Sequence, residues 1–325
     1  MTFPTRRRVL AGLAAVSAGA LAAPALVRAQ GVSEIRIDYA TYNPVSLLLK
    51  EKGLLEEEFA ADGTTITWAK SAGSNKALEF LSGSALDFGS TAGSAALVAR
   101  INGNPIKSVY SFSKPEWTAL VTGPDSGIAT VADLKGKTVA VTRGTDPHIF
   151  LIRALADNGL TEADITPVLL QHADGKTALI RGDVDAWAGL DPMMAAAELE
   201  DGAQLFFRNP AANTFGILNV REEFLEQNPE VVARVLNTYE RARAYALENL
   251  AELKGFAVAE TGLAPEIIDV QIDTRTDLTQ PRLGDAQRET ILAAGLALQA
   301  AGVIEASVDV PGTVAILLDD RLPTA

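Results

Sequence analysis

The chain has 325 residues, 48% of them hydrophobic and 21% charged, which is enough apolar material for two cores and the wrong balance for a disordered chain. Asp and Glu outnumber Lys and Arg by 41 to 28, a net charge of −13 that repels nucleic acid and anionic lipid and excludes a DNA or RNA role. The absence of cysteine removes disulfides, thiol catalysis, thiolate metal sites and an N-terminal lipid anchor together, and His148 and His172 alone cannot build a histidine metal cluster.

At the N-terminus, Thr5-Arg6-Arg7-Arg8-Val9-Leu10 precedes an Ala/Leu/Val/Gly run that closes at Val27-Arg28-Ala29. Paired arginines, a mildly apolar stretch and a small residue before the cut have the form of a twin-arginine export signal, with cleavage expected after Ala29. Val9 to Val27 is almost long enough to span a bilayer, but it is diluted by Ala, Gly and Ser and carries Pro24, so removal is expected rather than anchoring. The twin-arginine translocase is then the export partner, and the mature protein is free in the periplasm.

After the signal, Ile35 to Tyr39 and Thr65 to Lys70 read as short strands around an amphipathic helix, Ser46 to Phe59, ending near Gly53-Leu54. A helix over Ala77 to Leu81, a short strand at Asp87-Phe88-Gly89 and a helix over Ser94 to Arg100 follow. Ile106 to Phe112 and Thr118 to Thr122 are strands, and the turn cluster Gly123-Pro124-Asp125-Ser126-Gly127 is where a first crossing between lobes is expected. The second half opens at Val131-Ala132-Asp133-Leu134-Lys135-Gly136-Lys137, and Thr214 to Val220 is the expected return strand. From Glu222 the pattern is helical: Val231 to Leu250 behind Asn228-Pro229-Glu230, a start at Pro265-Glu266-Ile267, and Ala286 to Ala301 closed by Gly302.

Two stretches say the same thing. Glu34 to Gly93 and Lys137 to Met194 repeat one order of strand, polar turn, helix, strand, turn, helix, short acidic strand and small-residue turn. A period of roughly 100 residues is too long for a solenoid and fits two related half-domains. The predicted fold class is α/β: two lobes, each a mostly parallel sheet flanked by helices, joined by a two-strand hinge. The expected division is 1–29 signal, 30–123 the first part of lobe 1, 124–215 lobe 2, and 216–325 the return strand and C-terminal helices of lobe 1.

In parallel α/β sheets ligands sit beyond the carboxyl ends of the strands, where helix N-termini present unpaired N–H groups. Three turns have that form: Ser71-Ala72-Gly73-Ser74-Asn75, Thr91-Ala92-Gly93-Ser94, and Arg143-Gly144-Thr145-Asp146-Pro147-His148. Small residues let the backbone approach an oxyanion while hydroxyls donate, although Ser74, Thr91, Thr145 and Asp146 also suit plain helix capping. Arg143 can pair with a sulfonate, carboxylate or phosphate or simply lie solvated; His148, in a first helical turn, suits a neutral imidazole. Trp187 can cover an apolar part of a ligand or fill the core, Asp191 can face an amine or cap the helix behind Pro192, and Tyr42 and Asn43 offer a hydroxyl and an amide.

Taken together, Gly53-Leu54, Ala72-Gly73-Ser74, Leu81-Ser82-Gly83 through Asp87-Phe88-Gly89, Val131 to Lys137, and Arg181-Gly182-Asp183-Val184-Asp185-Ala186-Trp187 with Asp191-Pro192 make the chain resemble a known family. It is similar to the type II periplasmic solute-binding proteins of ABC importers, in the aliphatic-sulfonate, taurine and nitrate group. The resemblance implies a receptor that closes around a small organic anion, an aliphatic sulfonate first, and hands it to an ABC permease in the inner membrane, without cofactor, metal or covalent chemistry. By position it implies ligand contacts from Tyr42, Asn43, Ser71, Gly73, Thr91, Ala92, Gly93, Arg143, Gly144, Thr145, His148, Trp187 and Asp191. The small-residue turn lacks the acid that sulfonate binders often carry there. Nitrate, a pyrimidine precursor or an aromatic carboxylate stand as alternative ligands. A pyrimidine-synthase-like enzyme uses the same fold, but its cysteine-rich motif has no counterpart here.

Overall fold

The structure is a computed structural model that describes residues 31–320. The expected signal segment and its cleavage after Ala29 lie outside the described residues. Among the described residues no helix is long and apolar enough to cross a membrane.

The first lobe begins with β1 (Glu34–Tyr39), whose Ile35 and Ile37 are fully buried, followed by α1 (Pro44–Glu51) and α2 (Leu54–Phe59). The helix expected over Ser46 to Phe59, with its end placed near Gly53-Leu54, is two helices. It breaks at Gly53, whose positive φ of 61° reverses the chain between the two pieces. The chain continues through β2 (Thr65–Lys70), α3 (Ser74–Ser82), β3 (Phe88–Ala92), α4 (Gly93–Ile101) and β4 (Ile106–Pro115).

The second lobe holds β5 (Leu120–Thr122), β6 (Thr138–Val141), α5 (Asp146–Asp157), β7 (Thr166–Leu169), α6 (His172–Arg181), β8 (Ala186–Ala188), α7 (Met193–Asp201) and β9 (Gln204–Phe207). The chain then returns as β10 (Gly216–Arg221) and finishes helical: α8 (Glu222–Gln227), α9 (Pro229–Glu248), α10 (Leu250–Thr261) and α11 (Pro265–Asp269). The short β11 (Thr276–Asp277), α12 (Asp285–Ala300) and α13 (Val310–Leu317) close it.

The duplication is visible in the strand order. One sheet runs β11-β4-β10-β3-β1-β2 and the other β7-β6-β8-β5-β9. Read from β2 and from β7, both follow the same sequence of roles: second strand, first strand, third strand, a crossing strand, then a fourth. The crossing strands β10 and β5 run antiparallel to both neighbours, while β1, β2 and β3, and likewise β6, β7 and β8, are parallel. Each sheet is therefore mixed for one reason: the strand that enters from the opposite lobe arrives from the end where the others finish.

Because β5 pairs with β8 and β9, the chain leaves the first sheet between Pro115 and Leu120, ahead of the expected boundary at 123–124. It returns between Phe207 and Gly216. A bidentate ion pair ties the two crossings, with Arg208 Nε and Nη2 donating to Glu116 at 2.7 and 2.8 Å.

The C-terminal helices belong to the first lobe's core. Tyr239 of α9, Ile291 of α12 and Val314 of α13 are buried among residues of the first sheet and α4. Gly93 allows this at one point, since a Cβ there would stand 2.6 Å from Ile291 Cγ1.

Candidate functional site

Both sheets reverse strand order at their first and third strands, which is where open α/β sheets leave a crevice. A cavity lies there between the lobes, walled by Tyr42, Ser74 and Trp117 and by Thr145, Asp146, Pro147, His172 and Leu190. Its volume is about 10 Å³, room for about one water. Its walls come from both lobes.

Three helices start at this cavity: α3 at Ser74, α5 at Asp146 and α6 at His172. The first N–H groups of a helix have no acceptor within it, and the helix dipole adds about half a positive charge at that end. Tyr42 and Trp117 form an apolar side of the cavity, their rings edge-to-face with centroids 6.1 Å apart.

Asp146 holds the site to the two chain crossings. It is 2% exposed, and its two oxygens accept from the Trp117 indole at 2.8 Å, the Thr214 hydroxyl at 2.9 Å and the Thr214 N–H at 3.2 Å. The Ser94 hydroxyl, from α4, donates to it as well. One carboxylate thus joins helix starts from both lobes to both chain crossings.

His172 is 1% exposed, and burial pushes its imidazolium down to about 3, so the ring is neutral. Ser74 Oγ accepts from Ala92 N–H at 3.0 Å. Thr145 Oγ1 donates to Thr142 O at 2.7 Å.

Of the residues expected from sequence, Tyr42 and Thr145 line the cavity, and Gly73 lies at its edge facing His172. Gly144 carries the positive φ of its turn, 79°, against Asn75 of the other lobe. Arg143, beside it, is exposed. The rest are committed elsewhere. Asn43 is fully buried as the N-cap of α1, giving its amide hydrogens to Ser90 Oγ and Tyr239 O–H at 2.8 and 3.1 Å. Ser71 is buried beside the Asp38 carboxylate without a well-formed hydrogen bond.

The second small-residue turn serves the protein itself. Asn219 donates to Thr91 Oγ1 at 2.8 Å, Ala92 N–H is held by Ser74, and Gly93 N–H is held by Phe215 O at 3.0 Å. His148 Nε2 faces Glu162 at 3.0 Å within its own lobe. Trp187 is fully buried in the second lobe with its ring against Gly175 of α6, where a Cβ would lie 2.6 Å from Nε1. Asp191 accepts from Ala195 N–H at 3.0 Å and from Arg275 at 3.1 Å, a buried ion pair across the lobes. Burial pushes its carboxyl up to about 6 against the pull of Arg275.

Trp117, His172 and Leu190 are wall residues not picked out from sequence for this place, and Asp146 was read there only as part of a ligand turn or as a helix cap. For His172 the signal was present: in the duplication the start of α6 occupies the position that the start of α3, Ser74, holds in the first half.

Beneath the site lies Asp38, fully buried, with Oδ1 accepting from Ser90 N–H and hydroxyl at 2.8 Å each and Oδ2 unpaired. Burial pushes its carboxyl up to about 6 from 3.8. A folded-state value above the unfolded one means that folding holds the proton more tightly, so stability falls as pH rises from about 4 through 6. Asp38→Asn keeps the carbonyl acceptor and places an N–H₂ toward Ser71. It is expected to raise unfolding free energy by about 2–3 kcal/mol at pH 8, a gain that shrinks to nothing near pH 4. Urea unfolding at both pH values checks this; a loss of stability at pH 8 would contradict it.

Residues 50–252 match the family model described as NMT1/THI5 like. A protein of Escherichia coli (strain K12) named as an aliphatic sulfonates-binding protein is 31% identical over 272 residues, 83% of each chain. The alkanesulfonate-binding protein SsuA from Xanthomonas axonopodis pv. citri, solved bound to MOPS, is 27% identical with a TM-score of 0.79, covering 88% of this chain and 98% of that one. The periplasmic aliphatic sulphonate binding protein SsuA from Escherichia coli is 26% identical with a TM-score of 0.74, over 90% and 94% of the two chains. With the duplicated sheets and the interlobe cavity, these matches establish that the chain belongs to the NMT1/THI5-like family, as a homologue of the SsuA aliphatic sulfonate-binding proteins with the fold of type II periplasmic binding proteins.

Proposed function

We propose that this protein is an exported solute-binding protein that holds a small organic anion, an aliphatic sulfonate, between its lobes and delivers it to an ABC permease of the inner membrane. The observation that carries the reading is the convergence of three helix N-termini, α3 from one lobe and α5 and α6 from the other, on one interlobe cavity. The acid group takes its hydrogen bonds from those N–H groups and from the Ser74 hydroxyl. The aliphatic part lies along Tyr42, Trp117 and Leu190. Gly73 and Gly144 let the two backbones approach, and exposed Arg143 steers the anion toward the opening.

The lobes part to admit the ligand and close because closure adds the second lobe's donors to the first's. Segments 116–119 and 208–215 are the hinge. Export by the twin-arginine translocase, with cleavage after Ala29, belongs to the same reading and supplies the periplasmic location. Binding leaves the ligand chemically unchanged.

The test is a thermal-shift screen of the chain from residue 30 onward against ethanesulfonate, taurine, nitrate, benzoate and a pyrimidine. A ligand at about 100 times its dissociation constant stabilises by about 2.7 kcal/mol, a rise of roughly 4–5 °C for a chain of this length. A sulfonate is expected to produce it and to be recovered intact by mass spectrometry. Stabilisation by nitrate or benzoate with none by sulfonates, or a converted ligand, would reject the reading.

A further inference from the structure

The polarity of the cavity wall is not that of a pure anion trap. His172 Nδ1 lies 3.2 Å from Thr142 Oγ1, and that hydroxyl gives its single hydrogen to Leu170 O at 2.7 Å. Nδ1 therefore carries the ring hydrogen and donates to Thr142, which leaves Nε2 as a bare acceptor. Nε2 is buried and without a partner, and it faces the other lobe, 3.0 Å from where a Cβ on Gly73 would sit. The Asn75 carbonyl oxygen, also without a partner, lies 2.8 Å from the same point.

A sulfonate group offers only acceptors. Against it Nε2 would stay unpaired, which costs a buried polar atom its full desolvation penalty. Protonating the ring is opposed by its burial, which holds the imidazolium down at about 3, and by its place at the positive end of α6. The facing charged group of the wall, Asp146, is already occupied by Ser94, Trp117 and Thr214.

We propose that His172 is a specificity-determining residue whose Nε2 accepts a hydrogen bond from an O–H or N–H borne by the ligand beside its acid group. The site then takes hydroxy- or amino-substituted sulfonates in preference to bare alkanesulfonates. This rests on the sulfonate reading above and adds the substituent to it. A site built to pair a ligand hydroxyl discriminates far more strongly than an apolar pocket does.

Isethionate and ethanesulfonate share two carbons and a sulfonate and differ by one hydroxyl. In calorimetric titrations of the mature protein, isethionate is expected to bind at least about tenfold tighter. The preference is expected to persist in His172→Gln, which keeps an acceptor, and to vanish in His172→Phe. In ¹⁵N spectra of the wild-type protein the hydrogen is expected on Nδ1, a readout independent of any variant's folding. Equal affinities, tighter binding of ethanesulfonate, a preference that survives His172→Phe, or a hydrogen on Nε2 would each overturn the proposal. Binding of neither sulfonate would overturn the sulfonate reading itself, and this inference with it.

Discussion

Asp146→Ala is expected to lower unfolding free energy by about 3–5 kcal/mol, because each buried donor left unpaired costs about 1–3 kcal/mol and several are involved. Its carboxylate is the common acceptor for the Trp117 indole, the Thr214 N–H and hydroxyl, and the Ser94 hydroxyl, all buried. Alanine leaves each donor unpaired where water has little room. The loss also disconnects the start of α5 from α4 and from both chain crossings, leaving the Asp191–Arg275 and Arg208–Glu116 pairs to tie these parts together. Asp146→Asn separates charge from shape: it keeps one acceptor oxygen but turns an N–H₂ toward donors, and is expected to cost less than alanine. Urea unfolding reads both as shifts of midpoint at unchanged slope. A loss below about 1 kcal/mol for alanine would mean that the network is not what ties the lobes.

Gly73→Val is expected to weaken ligand binding by at least about 100-fold while the ligand-free protein keeps its unfolding midpoint. Gly73 has φ 169° and ψ 167°, extended backbone that valine adopts without strain. The obstacle is across the cleft: an added Cβ meets His172 Nε2 at 3.0 Å and Cδ2 at 3.3 Å, and Asn75 Oδ1 at 2.8 Å. Asn75 can swing aside, whereas His172 is buried and held by Thr142. Both lobes fold normally and fail to close. Titration with whichever solute the thermal-shift screen identifies checks this, and wild-type affinity would show that closure does not bring His172 over Gly73.

The two variants probe different parts of one device. Asp146 sits where the lobes are joined, and Gly73 where they meet. On the reading proposed above, closure around a ligand needs a firm pivot and an unobstructed seam, and the distribution of polar atoms fits both. Near the hinge the polar groups described above have partners; at the seam His172 Nε2 and Asn75 Oδ1 are left open.

Legibility in the sequence followed the range of the forces involved. Strands such as Ile35 to Tyr39 and helix starts such as Asn228-Pro229 are written in neighbouring residues, so periodicity and capping chemistry reveal them. The duplicated order of elements is a comparison of such local patterns, and it carries over directly to the matching strand orders of the two sheets. The ligand turns were harder, because a small, hydroxyl-rich turn has the same composition whether its N–H groups are free or taken. Gly93 N–H is taken by Phe215, and Thr91 by Asn219, from a strand that returns much later in the chain. Trp187 read equally well as lid or core until Gly175 showed which side of the sheet receives its ring.

By itself the sequence determined the class of molecule: two α/β lobes of like element order crossed twice by the chain, acidic, free of cysteine, with helix starts gathered at strand ends. These follow from composition and from contacts close along the chain. Only the tertiary structure decided which polar atoms are spent and which are spare. A hydrogen-bond donor or acceptor is available to a ligand only if no distant segment reaches it first, and that is a property of the assembled fold. His172, Trp117 and Asp146 became the walls of the site on that ground.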